Sequence, residues 1–238
     1  MSNLLQITVL TLIAGLAMPI GASIAAVERI RPNWLENELR HSVIAFGGGA
    51  LLAAVALVLV PEGIRTLSPL AIFVCFAGGG VTFMILDRRL AANDAPVSQL
   101  IAMLADFIPE ALALGATFAL SRDAGLLLAG VIALQNFPEG FNAYRELKSS
   151  THYRRLQIIG AFILMAMLGP AAGLSGYFVL SGYPKVVSAI MLFAAGGILY
   201  LIFQDIAPQA RLKKHWAPPL GAVAGFLLGV MGQILIEG

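Results

Sequence analysis

Residues 98–144 read SQLIAMLADFIPEALALGATFAL, then SRD, then AGLLLAGVIALQNFPEGFNAY. Two apolar runs, 98–120 and 124–144, flank one short polar break. Each is about 20 residues long, enough for a helix to cross a hydrocarbon core of roughly 30 Å. The apolar residues fall in continuous runs and not in the one-sided stripe of a helix on a soluble protein. Yet each run holds polar residues near its middle. Asp106 and Glu110 flank Pro109 in the first, and Gln135, Asn136 and Glu139 surround Pro138 in the second.

Working outward, six more apolar runs appear, at 4–27, 41–60, 69–86, 156–180, 186–206 and 218–236. The chain is 59% hydrophobic and 12% charged, with a mean hydropathy of +0.87; soluble domains are about 25% charged. The expected fold is an all-α membrane protein, one domain over residues 1–238 with eight transmembrane helices. The first run lacks a basic leader and is too long for a signal-peptide core, so it reads as a retained helix. The single cysteine, Cys75, excludes an intrachain disulfide and a Cys/His zinc finger, and reads as a small buried thiol.

Charge placement sets the expected topology. Odd-numbered loops hold 12 of the 15 Lys and Arg residues, and even-numbered loops hold 3: Arg65, Arg122 and Lys185. The positive-inside rule places the odd loops in the cytoplasm, which leaves both termini outside. Trp34, Tyr144, Tyr153, Tyr183 and Trp216 fall at or near span ends, where amphipathic rings favour the headgroup level. Small residues spaced four apart, Gly169/Gly173 and Gly221/Gly225/Gly229, read as helix-packing faces.

The chain also repeats itself. Phe46-Gly-Gly-Gly-Ala-Leu-Leu precedes Pro61-Glu62, and Phe193-Ala-Ala-Gly-Gly-Ile-Leu precedes Pro208-Gln209 at the same distances. By the charge topology these spans run in opposite directions, as do the two spans of the opening stretch. Inverted repeats around a polar midplane site are a transporter signature.

Asp106 and Glu110 are four apart, so they share a helix face, and Gln135 and Glu139 repeat that spacing. At 1.5 Å per residue they lie roughly 12–18 Å into the core. An acid at that depth costs about 2.5–3.5 kcal/mol on insertion scales. Two such helices face to face gather carboxylate and amide oxygens in one small volume, the chemistry of a divalent cation site. A cation there also offsets repulsion among the acids. Pro109 and Pro138 donate no hydrogen bond to Ala105 and Leu134, freeing carbonyls to line a polar cavity. The bland alternative is that these polar groups only glue helices together. Three acids at matched depth beside matched prolines weigh against it.

Other polar residues are less determined. Asn142 extends the polar face one turn past Glu139. Asp205, with Gln204, is an exit ligand or a solvated helix end; Glu62 is a solvated end or part of an entry funnel. His41, His152 and His215 lie at span edges or in loops.

Asp106-Phe-Ile-Pro-Glu-Ala111 and Gln135-Asn-Phe-Pro-Glu-Gly140, in consecutive helices 29 residues apart, resemble the paired His-Asn-x-Pro-Glu-Gly type motifs of the ZIP (Zrt/Irt-like) divalent metal transporters. Phe193-Ala-Ala-Gly-Gly-Ile-Leu-Tyr200 resembles that family's seventh helix, and the resemblance covers essentially the whole chain. It implies a carrier, often dimeric, for zinc, iron, manganese or cadmium, with a metal site at Asp106, Glu110, Gln135 and Glu139 and Asn136 beside it. Asp106 and Gln135 stand where the motifs carry histidine, and Phe107 where the first carries asparagine. Leu168-Gly-Pro170 holds no acid where two-metal members have one, which argues against a second site. Residues 87–97 lack the family's histidine-rich loop. Imidazole suits zinc, while carboxylate and amide oxygens suit manganese or magnesium better, with ferrous iron between.

The expected function is therefore transport of a divalent cation as substrate, through a bacterial inner membrane. The alternatives are a proton-coupled carrier of another solute, a non-transporting relative of the family, and an intramembrane enzyme. The last lacks a Ser/His, Cys/His or His-Glu-x-x-His arrangement. Basic residues scattered over the loops give no support to nucleic-acid binding.

Overall fold

In the computed structural model the backbone is described for residues 2–28, 33–91, 96–212 and 216–237. Side chains are described there except at 33–37, 90, 91, 96–99, 101, 102, 105, 106, 120, 236 and 237. The helices in chain order are α1 (Asn3–Val27), α2 (Asn33–Ala53), α3 (Pro69–Ala91), α4 (Pro96–Leu120), α5 (Arg122–Ser150), α6 (Arg155–Ser175), α7 (Pro184–Leu201) and α8 (Pro218–Glu237). Among the described residues seven helices are long and apolar enough to cross a membrane. The fold is that of an all-α, multi-pass membrane protein. In α4 the described apolar stretch is Phe107–Ala119, shorter than the other seven.

Three helices continue past an α-to-π transition. α2 runs on as a π-helix over Ala54–Leu59 and an α-turn over Val60–Gly63; α7 runs on through Ile202–Ile206 and Ala207–Ala210 in the same way. α6 ends in the π-turn Gly176–Leu180. In α2 and α7 the widened turn comes just before a proline, Pro61 or Pro208. The Val60 amide donates to Val55 and the Ala207 amide to Ile202, five residues back in each case. A wider turn relieves the clash of a proline ring with the preceding turn. The sequence repeat beginning at Phe46 and Phe193 thus carries the same backbone distortion at the same place.

α5 is set between α1 and α2. A methyl group on Gly140 would strike the backbone of Met18, and one on Gly21 the backbone of Phe137, so α1 and α5 touch backbone to backbone. On its other side the ring of Pro138 fills the space beside Gly47 of α2. Elsewhere α4 packs on α6, α3 on α7, and α8 on α2, where Gly225 lies against Phe46 as the small-residue spacing predicts. Phe107, Leu114, Leu128, Ile132 and Phe162 belong to the continuous core. α3 and α8 are peripheral and present apolar side chains outward, Phe73 and Leu227 among them.

Two readings of single residues are corrected. Tyr144 is 3% exposed and packs in the core, whereas Tyr153, Tyr183 and Trp216 are exposed; the side chain of Trp34 lies outside the described residues. Tyr144 is buried because α5 continues to Ser150 and carries the ring within the bundle. Cys75 is partly exposed, because α3 lies at the periphery.

Candidate metal site between α4 and α5

α4 and α5 are contiguous in sequence except at Ser121, whose hydroxyl accepts from the Ala124 amide and caps α5. The tight turn sends α5 back along α4, so residues at comparable distances on either side of Ser121 meet. Glu110 and Gln135 do so. Both are 2% exposed, and Gln135 Nε2 donates to Glu110 Oε1 at 2.5 Å. Pro109 and Pro138 lie inside their helices, each within a turn of this contact.

The amide orientation follows from charge. An ionised carboxylate accepts and does not donate, which matches the nitrogen of Gln135 facing it. The other end of the same amide, Oε1, is then buried with no hydrogen-bond donor among the described residues. An orphaned buried acceptor of this kind costs about 1–3 kcal/mol. A cation bound between the helices would satisfy it, and the donor set of carboxylate and amide oxygens suits a hard or borderline divalent ion.

Glu139 sits one helical turn beyond Gln135 and is partly exposed. The side chain of Asp106, one turn before Glu110, lies outside the described residues. Among the described residues no group of three or more His, Cys, Asp or Glu side chains comes together. Asn136 turns the other way. It is 1% exposed, and its Nδ2 donates to the Ala14 carbonyl of α1 at 2.9 Å. Phe107 is also turned toward α1, with its ring wedged against Gly15 of α1 and Gly169 of α6. The residue following the first motif position therefore anchors each helix, through a hydrogen bond in α5 and apolar packing in α4.

Asn142 Oδ1 is buried without a described donor. Glu62 is paired with Arg65 at 2.9 Å, and Asp87 accepts from the Tyr200 hydroxyl at 3.0 Å. Sequence reading did not single out Thr117, Ser188 or Thr66. No spacing marks them, and they meet only because α2, α4 and α7 end together.

The sequence pattern of the ZIP zinc transporters matches residues 89–237, more than half of the chain. The chain belongs to the ZIP family. The match begins in the last turn of α3 and takes in both helices of the candidate site. The chain is also similar to the zinc transporter ZupT of Chlorobium phaeovibrioides. The two are 23% identical over 277 aligned positions, covering 99% of this chain and 100% of the relative. The ZIP family assignment thus agrees with the resemblance carried by the paired motifs.

Proposed function

We propose that this ZIP family member carries divalent metal cations across a bacterial inner membrane, through a site where Glu110 and Gln135 meet. The observation that carries the reading is the buried Glu110–Gln135 contact, with an amide oxygen left over, between two proline-containing helices. In this reading eight helices span the bilayer with both termini outside. The matched π-turns of α2 and α7 support an inverted repeat, and the bacterial relative supports the location.

The cation is substrate, held by the Glu110 carboxylate and by Gln135 Oε1 once the amide turns over. Asp106 and Glu139, each one turn along the same helix face, add two further carboxylates. Asn136 holds α5 against α1 from behind the site. With no imidazole in the set, manganese and ferrous iron are the preferred cargo, and zinc is carried less selectively.

Uptake of radioactive manganese into proteoliposomes, compared with Glu110→Gln and Glu139→Ala, tests the reading. Uptake by the wild type and its loss in both variants is the expected outcome. Equal rates in all three would reject it.

A further inference from the structure

Away from the Glu110–Gln135 contact, a cavity of about 150 Å³ opens between the ends of α2, α4 and α7. Its walls include Glu62, Arg65, Thr66, Thr117 and Ser188. Thr117 is 2% exposed, and its hydroxyl has no hydrogen-bond partner among the described residues. Threonines in neighbouring helices behave differently. Thr11 donates to the Ile7 carbonyl and Thr82 to the Gly78 carbonyl, each within its own helix. The Thr117 hydroxyl lines the cavity without making that bond.

Ser188 is 4% exposed and receives the Thr66 hydroxyl at 2.8 Å, while its own hydroxyl reaches the Glu62 carbonyl at 3.4 Å. Among the described residues the anion on the wall is Glu62, which is held by Arg65 at 2.9 Å, and Arg65 is itself well exposed. A pair three residues apart whose cation is well exposed is readily exchanged. Thr117 also lies seven residues from Glu110, which puts both on one face of α4, about 10 Å apart along the axis.

We propose that this cavity is a staging site for a hydrated divalent cation on its way to Glu110, on the end of the bundle that the loop charges assign to the outside. The inference rests on the transport reading above. The arriving ion displaces Arg65 from the Glu62 carboxylate, and Arg65 swings into water. Thr117 and Ser188 accept hydrogen bonds from the ion's water shell, for which the cavity has room. A single carboxylate with hydroxyls and waters binds weakly, as a site that must release its ion requires.

Two measurements test this, one of which needs no transport. In a Cys75→Ser background, Thr66→Cys places a reporter thiol on the cavity wall. Its reaction with a membrane-impermeant cationic thiosulfonate, added from outside, is followed with and without manganese. Manganese should slow labelling several-fold, and adding Glu62→Gln should abolish the protection. No labelling from outside, or protection unchanged by Glu62→Gln, overturns the proposal. In parallel, Glu62→Gln should raise the manganese concentration giving half-maximal uptake about tenfold with little change in maximal rate, and Thr117→Val should act in the same direction. An unchanged half-saturation in Glu62→Gln with a functioning wild type overturns the staging site and leaves the transport reading intact. Glu62-dependent protection in a protein that takes up no metal supports the site and rejects transport.

Discussion

The amide nitrogen of Gln135 lies 2.5 Å from Oε1 of Glu110, so a hydrogen bond joins α4 and α5 at their buried centres, charge-assisted when the carboxylate is ionised. With the carboxylate ionised, the same amide cannot show its oxygen to Glu110. In the proposed site Gln135 would serve as a donor that stabilises the empty carboxylate and, turned over, as a ligand that shares its cation.

Gln135→Leu removes the donor and leaves the Glu110 carboxylate buried without it. The expected loss is about 1–3 kcal/mol of stability, together with loss of the stabilisation that manganese gives the wild type. Thermal unfolding in detergent, with and without manganese, separates the two. A variant still stabilised by manganese to the wild-type extent would show that Gln135 is not a ligand.

Gln135→His puts an imidazole into an otherwise oxygen site. Zinc gains more than manganese from that exchange. Competition uptake with both metals should move the zinc-to-manganese ratio toward zinc by about tenfold, the effect of roughly 1.4 kcal/mol of differential binding. An unchanged ratio would place the selective step elsewhere.

Asn136 is expected to act on the scaffold. Its bond to the Ala14 carbonyl ties α5 to α1 across 122 residues of chain. Asn136→Ala should cost about 1 kcal/mol of stability, the usual net contribution of a hydrogen bond, to the same degree with and without manganese. A loss confined to the metal-bound protein would instead make Asn136 a ligand.

The contact of α1 with α5 admits no side chain at Gly140, where a Cβ would meet the Met18 backbone. Gly140→Val should therefore reduce folded yield, through overpacking of at least about 1–3 kcal/mol. Gly130→Val is the control, because a Cβ there meets nothing nearby. Size-exclusion profiles of the two should differ, with Gly130→Val matching the wild type.

What could be read in one dimension was whatever depends on spacing along one helix. The apolar runs became helices, and the i,i+4 polar pairs with their prolines marked the two helices that meet at Glu110 and Gln135. Partners distant in sequence were not legible. Nothing near Asn136 names Ala14, and nothing near Thr117 names Ser188. Tyr144 was misread because a ring near the end of an apolar run looks interfacial until the helix is seen to continue to Ser150. The π-turns before Pro61 and Pro208 were also hidden, although the repeat containing them was visible.

Crystals soaked in manganese and measured at its absorption edge test the metal site most directly. An anomalous peak should lie within about 2.5 Å of oxygens from both Glu110 and Gln135, with the Gln135 amide turned so that its oxygen faces the ion. A protein that binds manganese elsewhere, with the Gln135 nitrogen still on Glu110, would contradict the assignment of this contact as the cation's path.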